Sequence, residues 1–338
     1  MTMFERAAAA AMVACAVGAL VACGGGGDSG SSGSGGSSGG SSGASRGGAS
    51  PYLLFACDSA GSLAAFTTLS PAAGTSVTAN VVESIPFGCR ALAYDSGRDE
   101  LYEAWNDVFV TGVTSKLEVF AQASGMKAGV AASRIVSLPD LLAIDRVVLD
   151  TAHDRLWISG SDSNSQGIVA VYDHASTLSG TAAASRILRV DGFDLAIDAG
   201  RDILYTNPFG DEVYVYANAS TLSGAVRPDR IIGHLPATAG LVLDASRDTL
   251  YMTDNSNDIY IVQGASSATT ATVATIRPPA SFNLLALAVD AAHDRLYAGG
   301  QDGAWVIDNV STLSAGTTPA TRVQAPGAVV TAFAFAGQ

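Results

Sequence analysis

The chain has 338 residues and a formal net charge of −13, with 48% hydrophobic and 14% charged residues. So acidic a body argues against nucleic acid as a partner and against electrostatic docking on anionic lipid. The high apolar fraction predicts a well-cored globular body once the N-terminal segment is set aside.

That segment comes first. Met1–Arg6 is a weak basic start in which Glu5 offsets Arg6, and Ala7–Val21 is an unbroken apolar run. The run is too short for a comfortable membrane span and suits the core of a signal peptide. It ends in Leu20-Val21-Ala22-Cys23, followed by glycines. This resembles the bacterial lipoprotein signal, which implies a signal peptide over 1–22 and a lipid on Cys23. An ordinary signal peptide with an incidental cysteine is the plainer alternative. Residues 23–50 are almost all Gly and Ser. They form a flexible tether with a mean reach of roughly 25–30 Å. Gly24, not Asp, follows Cys23. In a Gram-negative host the same resemblance implies the outer membrane, on its periplasmic or its surface side. With Cys15 removed and Cys23 lipidated, the body (51–338) keeps Cys57 and Cys89. In an oxidising compartment they are a disulfide candidate.

The body repeats one phrase five times: Asp, three residues, Asp, one residue, then Leu and an aromatic. Its first aspartates are Asp95, Asp150, Asp198, Asp244 and Asp290. A spacing of about 45–55 residues marks a repeat architecture. Each repeat holds four strand signals. A short apolar run precedes the first Asp, and the Asp-x-x-(Arg/His)-Asp segment is a turn. Leu-Tyr or Leu-Trp then opens a second strand, and an alternating stretch such as Val213–Tyr216 or Ile259–Val262 makes a third. The fourth opens at Arg134, Arg186, Arg230 and Arg322. Four strands per unit without an amphipathic helix predict an all-β propeller. Before the first copy lie three strands of an incomplete blade (Tyr52–Ala56, Leu63–Phe66, Val81–Ile85). After the last copy lies one unmatched strand, Val329–Ala336. Pairing them predicts a sixth four-stranded blade that closes the ring and leaves no free edge.

The Asp…Arg-x-Leu-Tyr stretch followed by Val-x-Val-Tyr resembles the NHL/YVTN class of bacterial β-propellers over residues 52–336. That class spans ligand binders, partner scaffolds and a few enzymes, so the resemblance implies a fold and leaves the task open.

No catalytic constellation stands out. A feature repeated fivefold does not make one asymmetric site, so the repeated aspartates are expected to fix turns, with Arg or His packing on the neighbouring blade. His153 and His293 occupy that turn position, and no His pair has zinc-ligand spacing. Asp162–Gly167 with Asp173 imitates an EF-hand loop, but Ile168–Tyr172 reads as a strand with no flanking helices. No cofactor is expected, with a divalent cation such as calcium as the alternative.

In propellers the second-to-third and fourth-to-first connections emerge on one face. The binding-face candidates are therefore Asp58, Trp105, Asn106, Asp107, Asp162 and Asn164, together with Asn207, Phe209, Asp211 and His234. The later blades add Asp254, Asn255, Asp258 and Asp302. Cys57 and Cys89 should meet on this face and clamp the stitched blade. The expected function is a non-enzymatic cell-envelope module binding a protein, a glycan or a small ligand. The alternative is a metal-dependent hydrolase resembling lactonase and gluconolactonase propellers, with Glu103, Asn106, Asn207 and Asp254 as ligands.

Overall fold

The computed structural model describes residues 53–58, 61–66, 77–78, 81–84, 88–107, 114–190, 192–208, 210–235, 238–254, 258–270, 273–277, 284–301, 303–313, 316–317, 321–324 and 329–335. Residues 1–50, on which the expected leader, lipidated Cys23 and tether fall, lie outside them, as do Phe209, Asn255 and Asp302. No helix among the described residues is long and apolar enough to cross a membrane.

Six antiparallel sheets make a six-bladed β-propeller. Blade one joins Val330–Phe335 to Leu54–Asp58, Ser62–Phe66 and Val81–Ser84. The C-terminal strand is its inner strand, so the last strand of the chain closes the ring on the first. Blades two to six begin at the inner strands Ala91–Asp95, Ala143–Asp150, Asp194–Asp198, Thr238–Asp244 and Leu284–Asp290.

The side chains follow from the wedge shape of a blade. Near the axis adjacent sheets converge, and the inner strands carry buried Ala91, Ala93, Ala286, Ala288, Ala332 and Ala334. One strand outward the gap widens, and the aromatics of the repeated phrase fill it. Tyr102, Trp157, Tyr205, Tyr251 and Tyr297 are all fully buried. Successive residues of a strand face opposite sides of the sheet. Leu101 therefore packs in the core shared with blade one, while Tyr102 packs in that shared with blade three. Each such side chain contributes about 1.5–3 kcal/mol by burial. Blade one has its own version: Leu54 and Phe55 pair with Phe335 and Ala334 and face blades six and two.

The blades are also hooked at their outer edges. Gly180–Thr181 of blade three adds a short parallel strand to Arg134–Leu138 of blade two. Gly224–Ala225, Gly316–Thr317 and Val77–Thr78 do the same for the outer strands of blades three, five and six. Blade four makes a single parallel bridge, Gly233 to Thr270. Four of the sheets thus have five strands where the repeat predicts four. A covered edge cannot template pairing with another chain.

Candidate functional site

The repeated acids are fully engaged in the scaffold. Asp95 accepts the backbone N–H groups of Gly97 (2.9 Å) and Arg98 (3.0 Å) and pairs with the Arg98 guanidinium at 2.7 Å. Asp198 and Asp244 pair with Arg201 and Arg247 at 2.6 Å, and Asp150 and Asp290 meet His153 and His293 at 2.7 Å. Arg98 reaches on to Asp154, and Arg247 to Asp294, in the next blade. The second aspartates (Asp99, Asp154, Asp202, Asp248, Asp294) all have left-handed backbone, with φ between 51° and 57°. Each holds the N–H and hydroxyl of one serine in the third-to-fourth connection of its own blade: Ser124, Ser176, Ser220, Ser266 and Ser311. That is why the Ala-Ser-Thr-Leu-Ser-Gly phrase recurs. The fourth-strand arginines finish the network. Arg134, Arg186 and Arg230 donate to carbonyls of this connection in the next blade, Ser176, Ala219 and Ala268 among them.

Many binding-face candidates are engaged as well. Asp162 accepts the N–H groups of Asn164 and Gln166 and pairs with Arg189 at 2.9 Å, and these bonds hold its carboxyl below the usual range against the cost of burial. Asp258 is gripped by Arg277 at 2.6 and 2.7 Å, and Asp254 accepts the Tyr260 hydroxyl at 2.8 Å. Asn106 Oδ1 accepts from Ser115 and from the Ile144 N–H of blade three. Asp58 caps the Ser62 N–H at 2.9 Å and Asn207 is buried in its strand. Trp105 is buried, with the Lys116 ammonium 5.4 Å from its ring centre. Asp107 ends its strand, and Asn164, Asp211 and His234 are exposed. The candidates are spread around the rim and do not converge on one point. Among the described residues no three His, Cys, Asp or Glu side chains are grouped to hold a metal ion.

The blades do converge at the mouth of the channel. Five residues before the first Asp of each phrase, the inner strand bulges or begins. Asp145, Ala239 and Leu285 are skipped by the pairing in blades three, five and six, and Thr331 is skipped in blade one. Arg90 and Phe193 hold the same step in blades two and four, their N–H groups bonded to Ala104 and Asn207. Bulges re-aim side chains. Opposite the Asp145 bulge stands Gly160, where a Cβ would lie 1.9 Å from the Ala143 carbonyl. Arg90, Asp145, Phe193 and Leu285 are exposed at this step, the last two at 39% each. The resulting collar is apolar on one arc (Phe193, Leu285) and charged on the other (Arg90, Asp145).

One step further in, an ion pair floors the mouth. Arg146 Nε lies 3.2 Å from Asp194, and its Nη2 donates to the Leu287 carbonyl across the channel at 2.9 Å. Asp194 also accepts the Leu195 and Leu241 N–H groups at 2.8 Å. Burial pushes the Asp194 carboxyl up, opposed by Arg146 and these two N–H groups. Below the pair the channel is an apolar cavity of about 130 Å³, lined by Leu92, Val147, Leu195 and Leu241 among others. Water reaches Asp145 through the mouth, but the surrounding wall withholds bulk solvation. This moves its carboxyl up to about 7, with Arg90 opposing the rise and Asp194 adding to it.

No protein family matches this chain, and no curated protein sequence does. The site therefore has to be read from its own chemistry.

Cys57 and Cys89 form a disulfide with Cα atoms 5.9 Å apart, as the sequence predicts. Cys57 lies within its strand, at the step where Ser159 stands in blade three and Thr253 in blade five. Those two hydroxyls donate to carbonyls of the following blade, Phe193 at 2.8 Å and Leu284 at 3.4 Å. At the seam the same contact is covalent. On the blade-two side of this junction lies Glu103, 1% exposed, with both carboxyl oxygens unpartnered. Glu103 shares a strand face with Leu101, towards blade one, and Glu118 is its cross-strand partner. Burial, reinforced by Glu118, raises its carboxyl to about 8.

The collar was legible in principle. Aligning the phrases shows that the fifth residue before each first Asp is Arg, Asp, Phe, Ala or Leu, a column with no repeated chemistry.

Proposed function

We propose that this protein is a lipid-anchored interaction module of the cell envelope, carrying its propeller on the Gly/Ser tether and engaging its partner at the loop face. The anchor rests on Cys23 at the end of the leader-like run and on the tether behind it. One observation carries the loop-face reading. The repeated acids are engaged by turns and neighbouring blades, whereas the collar at the mouth is non-repeated and exposed. A rigid scaffold that concentrates its variation at one mouth suits recognition.

The metal-dependent hydrolase reading draws less support. Asn106 and Asp254 are engaged in bonds within the fold, and Glu103 faces the seam with blade one. The test has two parts. Cys23→Ser should release the protein from the membrane fraction. A photocrosslinker at Asn164 or His234 should capture an envelope component, while one at Thr151 on the turn face should not. Equal capture from both faces would sink the loop-face reading. Stoichiometric divalent metal with lactone hydrolysis in the purified protein would replace it with the hydrolase.

A further inference from the structure

Three features of the mouth bear on what it binds. Arg90 and Asp145 are exposed side chains on adjacent blades, and neither has a hydrogen bond or ion pair among the described residues. They hold the same step of the collar on neighbouring inner strands, yet they do not pair with each other. The other arc presents Phe193 and Leu285, whereas most large apolar side chains in the described residues are buried.

A guanidinium and a carboxylate held near each other but unpaired are complementary to a ligand carrying both opposite charges close together. A singly charged ligand would answer only one of the two, whereas a zwitterion answers both. The apolar arc asks for a hydrocarbon substituent on the same small ligand. The floor is closed, because Arg146 is locked between Asp194 and the Leu287 carbonyl. The mouth therefore has a fixed bottom and does not pass its ligand down the channel.

We propose that the mouth binds a small zwitterion with an apolar substituent, the chemistry of a free α-amino acid such as leucine or phenylalanine. Its carboxylate meets Arg90, its ammonium meets Asp145, and its side chain lies against Phe193 and Leu285. This deepens the loop-face reading and rests on it.

Calorimetric titration of the tethered or leaderless body with L-leucine, N-acetyl-L-leucine and L-leucinamide tests it. Free leucine should bind, and capping either end should weaken binding about tenfold or more, as loss of one charge-assisted contact does. Arg90→Gln should bring leucinamide level with leucine, and Asp145→Asn should do the same for the N-acetyl compound. Both substitutions lie on exposed side chains, and circular dichroism melts confirm that the variants fold. Absence of heat at millimolar leucine overturns the proposal. So does equal binding of a capped form, which mimics a peptide terminus and assigns the mouth to a protein end instead. Crosslinked capture at His234 that persists without leucine binding would leave the loop-face reading standing and remove this inference alone.

Discussion

The junction between blades one and two and the junction between blades three and four do the same mechanical job with different chemistry. Between three and four, the Ser159 hydroxyl bonds the Phe193 carbonyl, and Arg186 lies 5.5 Å from the Trp157 ring centre and reaches into blade four. The Arg186 charge there is met by the Trp157 ring and by the Ala219 and Leu222 carbonyls, although its Nη2 stays buried without a partner. Between one and two, where the chain ends are stitched together, the serine position is Cys57 in a disulfide, and a partnerless carboxyl sits inside the interface. The seam thus combines the strongest inter-blade link with the least favourable buried group. The closure joins strands from the two ends of the chain, and a covalent staple secures it to blade two.

The largest expected effect sharpens that contrast through pH. Glu103 has a folded value of about 8 against 4.5 for the ordinary side chain, and Glu118 is raised as well. A carboxyl raised on folding contributes stability that is complete below its unfolded value and is lost as pH rises through its folded value. The protein should therefore be most stable near pH 5 and lose stability on the order of 4 kcal/mol towards pH 9. Glu103→Gln should flatten much of this slope in denaturant titrations at several pH values. An unchanged slope would mean that water or a partner already solvates Glu103.

Next is the staple. Cys57→Ser with Cys89→Ser should cost about 2–4 kcal/mol, read as a lower melting temperature. Reduction of the native protein should reproduce the shift, and the double variant should not respond to reductant. At the ordinary junction Ser159→Ala should cost about 1 kcal/mol. If it costs as much as the staple, the two junctions are mechanically equal. The smallest effect belongs to the collar, where Phe193→Ser or Arg90→Gln should stay within about 0.5 kcal/mol of the parent. A large loss there would make the collar structural and remove it as a recognition site.

Legibility differed by element. The blades were readable because Asp-x-x-Arg-Asp-x-Leu-Tyr states its turn and its two core residues within a few positions. The engagement of the repeated aspartates could be expected on the same grounds. The serine partners could not, because Ser124 lies 25 residues from Asp99 and Ser266 lies 18 from Asp248. The fifth strands are not legible for a similar reason: two-residue pieces such as Gly180–Thr181 carry no periodicity and acquire a role only against the next sheet. The candidate rim was legible as a face but not as chemistry. Asp162 and Asp258 look available in sequence, and the outer-strand Arg189 and Arg277 occupy them in space.

By itself the sequence determined the all-β class, the six blades, the terminal closure and the pairing of Cys57 with Cys89. The first three follow from local turn chemistry repeated at a near-constant spacing, and the disulfide from the two cysteines left in the body and their place on one face. Only the tertiary structure decided which charges remain free. Whether a carboxylate is available depends on what stands across a blade junction, and six inner strands meet at one mouth although their residues are separated by most of the chain. Arg90, Asp145, Phe193 and Leu285 come to share one collar through that convergence, and Glu103 becomes a buried acid in the junction with blade one.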